Sequence, residues 1–391
     1  MKHLPLVLFA LGSACGGDAA SSPDASTDAT TTADSATAVD ATVSTVDCSG
    51  TSTQLDKIVC QASGFLATLS ATELLTANPA LTDNATRTKW SNLPTSLVTR
   101  GGIAMGSLSA SSQAAALAMM SSLLSSDGME DLNGVRAADD YLAANGGNSM
   151  GPPGGGGGLS YGADLYFVAV FGTPTSTGSW AVMFGGHHMA YNITFAAGVA
   201  YPTPNHLGVE PKSEFTINGG TYQPLAAEGD AMEGIFTALS ATELQTAYLQ
   251  GQQFGDVLIG PVEYGTGSSA LAKAKYPTGT NRTGVLVSSL SVDQQALVTA
   301  AIKQWVADFD PMISDSLVAA YTSSAAYQDT YVAWGGTEAS GVDVDVAGTY
   351  MRIDGPRVWI EVACQNGIIF QNATHYHTIY RDKTTDYANT L

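Results

Sequence analysis

The chain contains six histidines, and four of them stand in two groups, His187-His188 and His375-x-His377. Imidazole is a ligand for zinc, copper and iron, and a general base near neutral pH. Threonine, tyrosine and isoleucine around the second group, Thr374 to Arg381, favour a strand. A strand sends His375 and His377 to the same face. With so few histidines, the two groups point to one site: a divalent metal ion (zinc, copper or iron) held by His375, His377 and one or both of His187 and His188. Glu361 is the expected fourth ligand or general base, taking a proton from metal-bound water. Arg357, Arg352 and Arg381 are the expected partners of a substrate carboxylate or phosphate. The competing reading makes the histidines hydrogen-bonded strand residues and pairs the arginines with Asp354, Glu361, Asp382 and Asp386. His206 is the weakest candidate, in a proline-rich turn with no partner nearby.

Other chemistries lack their signatures. There is no G-x-S-x-G elbow, no H-E-x-x-H helix, and no cysteine pair at zinc-ribbon spacing. The Gly/Pro-rich stretch from Asn145 to Gly158 is a loop without the setting or the Lys-Ser/Thr ending of a phosphate loop. Glu228 and Asp230 precede a helix and read as complements to its N-terminal charge. A net charge of −20, with only 15 Lys and Arg, argues against a nucleic-acid partner.

The elements that position the histidines come twice. Leu69-Ser-Ala-Thr-Glu-Leu74 recurs as Leu239-Ser-Ala-Thr-Glu-Leu244. In the same order, Arg100-Gly-Gly-Ile103 answers to Arg282-Thr-Gly-Val285, Ser107-Leu-Ser109 to Ser289-Leu-Ser291, and Phe167-Val-Ala-Val170 to Tyr331-Val-Ala-Trp334. The order predicts two related halves, 48–225 and 226–391, each with helices followed by strands. Ser70-x-x-Glu73, Ser240-x-x-Glu243 and Ser291-x-x-Gln294 are capping boxes, and Ser109 opens a further helix with an Ala/Leu/Met body. Strands are predicted at 164–171, 179–184, 187–195, 329–334, 349–354, 357–364 and 375–381, with Gly185-Gly186 and Gly355-Pro356 as hairpin turns. The expected class is α+β: two antiparallel sheets of three to four strands, each with two helices on one face, related by a pseudo-twofold axis. In the duplication His187 aligns with Arg357 and His188 with the apolar Val358. Strand neighbours face opposite ways, so only one of the pair joins a shared ion unless a bulge or turn re-aims the other. His187 is favoured and both are kept.

The first fourteen residues read as an export signal: Lys2, then a short apolar core from Leu4 to Leu11. Gly12-Ser13-Ala14-Cys15 resembles a bacterial lipoprotein cleavage box, with Cys15 lipidated. Residues 16–47 hold no aromatic and no basic residue, the composition of a disordered tether. The expected setting is therefore extracytoplasmic, anchored by lipid to a bacterial outer membrane, where a Cys48–Cys60 disulfide is allowed. Cys364, at spacing two after Val358, Ile360 and Val362, reads as a buried free thiol.

These residues also carry a resemblance. Gly186-His187-His188-Met189 with Asn192, Arg352-Ile-Asp-Gly-Pro356 with Glu361, and His375-x-His377-Thr378 with Arg381-Asp382 and Asp386-Tyr387 resemble the family called domain of unknown function 3500. Trp90-Ser91, Arg100-Gly101 and Leu108-Ser109 extend the likeness from around residue 60 to the end. The chain departs from the family pattern in its glycine-rich loop, in His206 where an aromatic is expected, and in lacking a further histidine at the C-terminus. The resemblance implies a shared fold and a shared histidine site, and no reaction. From the chemistry, the expectation is a metal-dependent enzyme, hydrolase before oxidoreductase, acting on a small anionic substrate. The alternative is a non-catalytic lipoprotein that captures a metal or a small anion.

Overall fold

Four helices begin where the sequence places their caps, at Ser70, Ser109, Ser240 and Ser291. The structure is a computed structural model that describes residues 46–149, 158–261, 276–337 and 341–391. The export signal, Cys15 and the tether up to residue 45 lie outside the described residues, as does the centre of the glycine-rich loop, 150–157. Ser70, Ser240 and Ser291 each accept from the backbone three residues on, and Glu73, Glu243 and Gln294 reach back. Each box satisfies two donors that a helix start leaves open. The helices are α1 (Gln54–Ala67), α2 (Ala71–Ala77), α3 (Asn84–Arg87), α4 (Ala110–Leu123), α5 (Ser126–Ala144), α6 (Ala226–Thr237), α7 (Ala241–Ala247), α8 (Val292–Val306), α9 (Pro311–Tyr321) and α10 (Ser324–Tyr327). Cys48 and Cys60 are joined by a disulfide at the start of the fold, and Cys364 is a buried free thiol.

The strands are β1 (Ile103–Ala104), β2 (Phe167–Phe171), β3 (Trp180–Gly186), β4 (Met189–Ala196), β5 (Val199–Tyr201), β6 (Asn205–Val209), β7 (Phe215–Ile217), β8 (Gly220–Tyr222), β9 (Val285–Leu286), β10 (Tyr331–Gly335), β11 (Tyr350–Asp354), β12 (Val358–Asn366) and β13 (Thr374–Asp382). The chain is a mixed helix-and-sheet protein, but the expectation of two separate main sheets is corrected. One antiparallel sheet runs β1-β2-β3-β4-β6-β13-β12-β11-β10-β9, with β5 on β4 and a small separate β7–β8 ribbon. The join is the register Tyr376↔Val209, His377↔Gly208, Thr378↔Leu207. Left apart, β6 and β13 would each expose an unpaired edge, and pairing removes both. His206 therefore lies in a central strand, not in a turn.

Alternation sorts the sheet into two faces. Met189, Tyr191, Ile193, Leu207, Val209, Ile360, Val362, Tyr376 and Tyr380 belong to the large helix-side core. Trp305 of α8 packs there, fully buried, its indole N–H donating to Thr378 Oγ1 at 3.1 Å. The other face meets irregular segments: Trp90, Leu249, Val257 and Ile259 pack on Ala190, Trp359, Ala363 and Ile379. His206, His375, His377, Glu361 and Arg381 alternate onto that second face. The described residues form one compact unit.

Both hairpin turns fall later than predicted. Gly186 pairs with Met189, so His187-His188 is the β3–β4 turn. Gly355 N donates to Val358 O at 2.8 Å, so Pro356-Arg357 is the β11–β12 turn. Gly185 and Gly186 serve close packing instead. A Cβ on Gly185 would lie 2.5 Å from Met189 O, and one on Gly186 3.0 Å from the Tyr166 ring.

Candidate metal centre

Because His187 and His188 form a turn, the face rule that separates strand neighbours does not apply to them. His188 sits in the left-handed region, at φ 59°, a conformation costing an ordinary residue about 1–2 kcal/mol. The turn is held from outside the hairpin. Tyr166 Oη donates to His187 O at 2.8 Å, Gly208 N to His188 O at 2.7 Å, and Arg100 Nη2 to Gly186 O at 2.8 Å. So pinned, both rings turn inward and stack, their centroids 3.6 Å apart. Both histidines are buried.

The turn brings His188 to the β13 pair. His375 Nε2 lies 2.9 Å from His188 Nε2 and 3.0 Å from His377 Nε2. The three rings form a group whose ligand atoms all lie within 4.8 Å of one another. Nitrogens sharing one ion at bonds of about 2 Å sit roughly 3 Å apart, so the donor set fits a metal. Gly208, cross-strand from His377, makes room for it. A Cβ there would lie 3.0 Å from His377 Cδ2 and 3.3 Å from His188 Cδ2.

Each outer ring has an acid behind it. His377 Nδ1 is 2.7 Å from Asp256 Oδ1, with the amide nitrogens of Gln365 and Asn92 at 3.1 and 3.2 Å. With its proton on Nδ1, His377 presents a lone pair at Nε2 to the centre. His187 Nδ1 is 2.7 Å from the buried Asp139 Oδ1. Burial pushes Asp139 well up and His187 well down. Both shifts oppose an ion pair, so the contact shares one proton and the ring stays uncharged. Burial, then the surrounding rings, also holds His188 and His375 well below the usual histidine value. They are therefore neutral, as metal ligands must be. Asp256 is driven to about 2: burial raises it, but the His377 contact outweighs burial.

The other predicted site residues are placed differently. Glu361 is fully buried and its oxygens are committed: Leu258 N at 2.6 Å, Ile259 N at 2.9 Å, Tyr350 Oη at 2.6 Å and Trp359 Nε1 at 2.8 Å all donate to it. Arg381 pairs with Asp386 at 2.8 Å and donates to Ile259 O at 2.8 Å. Glu361 and Arg381 thus pin the segment that carries Asp256 to His377, and act as positioning residues. Arg357 pairs with Asp382 at 2.6 Å and lies over Tyr321 on the helix side, away from the histidines. His206 faces His377 at 5.4 Å between ring centroids, but is not in the converging group. Glu228 stands in the first turn of α6, as a complement to that helix start, and is also buried with Asp131 and Asp308. Asp139, Asp256, Asn92 and Gln365 carried no sequence signal, except that Gln365 stands cross-strand from His375.

A family model described as a protein of unknown function, DUF3500, matches residues 51–389. Among curated proteins and among solved structures, nothing matches the chain.

Proposed function

The chain belongs to the DUF3500 family, and from the geometry of its histidines we propose a metal-dependent hydrolase working outside the cytoplasm. One observation carries the reading: the Nε2 atoms of His188 and His377 flank that of His375 at 2.9 and 3.0 Å. His188, His375 and His377 would hold one divalent ion of zinc, copper or iron type. Such an ion supplies Lewis acidity and a bound water of lowered pKa. Asp256 orients His377 behind it. His187 takes the general-base role first assigned to Glu361, whose oxygens are occupied. In the tautomer that donates its Nδ1–H to an ionised Asp139, its second ring nitrogen is an acceptor beside the centre. Asp256, its side chain 43% exposed, marks the side from which a substrate approaches. The lipoprotein signal, Cys15 and the tether supply the setting, and the Cys48–Cys60 disulfide suits an oxidising compartment.

The near-complete burial of the three ligands, 2–4% exposed, favours a second reading, metal capture without turnover. We also read the chain as two related halves. The strand order supports this: β1-β2-β3-β4-β6 from one edge and β9-β10-β11-β12-β13 from the other.

The test is elemental analysis of the full protein, purified without a His tag, beside a His375→Ala/His377→Ala variant. One equivalent of metal in the parent and none in the folded variant is expected; a parent that stays empty after metal is offered overturns the centre. Against ester, amide and phosphoester substrates, Asp139→Asn should keep the metal and lose about 10²–10⁴ in rate. Bound metal with no hydrolysis by the parent selects capture.

A further inference from the structure

Of the three arginines first assigned to a substrate anion, two are spent on Asp382 and Asp386. Arg352 is not. It is 2% exposed, forms no ion pair among the described residues, and its Nε has no hydrogen-bond acceptor. A guanidinium stays charged at any ordinary pH, so burying one without a bonded acceptor is costly. Its other contacts are weak: Nη2 lies 3.2 Å from Thr283 O and 3.3 Å from Thr283 Oγ1, and the group sits 5.5 Å over the Trp359 ring. Glu361 is its cross-strand neighbour, but takes its hydrogen bonds from four other donors.

Arg352 lines a cavity of about 550 Å³ together with Tyr276, whose buried Oη also has no hydrogen-bond partner among the described residues. Gln252, Thr278, Thr280 and Asn281 supply more of its polar wall, and among the described residues no carboxylate lines it. In a chain with 35 acidic and 15 basic residues, a cavity with an arginine and no acid is a selected environment. The contrast is the larger cavity of about 820 Å³ on the helix side, where Asp127, Glu130, Asp131, Asp140 and Glu228 outnumber one arginine, Arg136, among the described lining residues.

We propose that this cavity binds the oxyanion group, carboxylate or phosphate, of a small molecule, with the Arg352 guanidinium and the Tyr276 hydroxyl of its wall as the donors. Two buried donors without acceptors match an oxyanion, which accepts from several donors at once. The site stands without the metal reading, although Leu258, in its wall, belongs to the segment that carries Asp256 to His377.

The test uses the full protein treated with chelator, titrated with inorganic phosphate and with succinate against chloride at equal ionic strength, and read by calorimetry and thermal shift. Saturable binding of one or both anions is expected, and the anion preferred tells phosphate from carboxylate. Arg352→Gln should weaken binding at least about tenfold, the loss of one charge-assisted hydrogen bond. Tyr276→Phe should weaken it about fivefold; because Oη has no hydrogen-bond partner among the described residues, this variant keeps its fold even if Arg352→Gln does not. His375→Ala should bind as the parent does, which separates this site from the histidines. No binding above chloride, or binding unchanged by Tyr276→Phe and by whichever Arg352 variant folds, overturns the proposal.

Discussion

His206 is fully buried, and neither ring nitrogen has a hydrogen-bond partner among the described residues. Burial first, then the nearby His377, pushes it down to about 3. A folded-state value below the unfolded one, about 6.5, means the unfolded chain takes up the proton more readily. Stability is therefore full above pH 6.5 and lost as pH falls from there towards 3, at about 1.4 kcal/mol per pH unit. His206→Phe should stabilise at neutral pH by about 1 kcal/mol, by removing an unsatisfied polar ring, and its advantage should grow below pH 6.5. Urea unfolding of parent and variant at pH 5 and 7.5 reads this; an equal gain at both would show that the buried ring does titrate normally. At the centre, Gly208→Ala should weaken metal retention by roughly 10–100-fold in a chelator competition, on the scale of a disturbed ligand support, because its Cβ would press on the His377 ring. Unchanged retention would place the ligands elsewhere.

At the scale of elements, a tight turn and an irregular segment set the centre. That His375 and His377 share a face follows from strand alternation alone, and so do most of the longer strands, but not β6, whose His206 reads as part of a proline-rich turn. The His187-His188 turn was not legible, because Gly185-Gly186 carries the same local signal whether glycine makes a turn or lets strands approach. The 256–260 segment has no periodicity at all. It is ordered by Glu361 and Arg381, and only the folded chain shows what they hold. Glu361→Gln turns one acceptor oxygen into a donor among four donors, and should cost about 2–4 kcal/mol. Proteolysis should then begin within 250–261, and metal content should fall as Asp256 leaves His377. A variant as protease-resistant as the parent would deny Glu361 this positioning role.

Across the whole molecule, charge is concentrated where α5, α6 and the end of α8 meet. Asp131, Glu228 and Asp308 are buried together. Burial, then mutual repulsion, raises Glu228 and Asp308 well above their usual values; burial takes Asp131 to about 6. For a carboxyl whose folded value is raised, stability is greatest near and below its unfolded value, about 4, and is lost as pH rises through 6 and beyond. Asp308→Asn should therefore raise the melting temperature at pH 8 by several degrees, the shift of about 1–2 kcal/mol in a domain of this size, and by little at pH 4.5. Thermal unfolding in the presence of chelator reads the difference; a variant less stable than the parent at pH 8 would mean that the three carboxyls are compensated.

What the sequence by itself determined is local: where four capped helices start, where most of the longer strands run, which side of β13 carries His375 and His377, and that the chain is acidic with few histidines. Caps and alternation act over two to four residues and need no tertiary context. Only the tertiary structure decided that one sheet joins β6 to β13, that His187 and His188 turn inward together, and that Asp139 and Asp256 stand behind the rings. These depend on strand register and on contacts between residues up to 187 apart, as between His188 and His375. Such pairings are chosen by burial of the whole sheet, and that is a property no short stretch of the chain possesses.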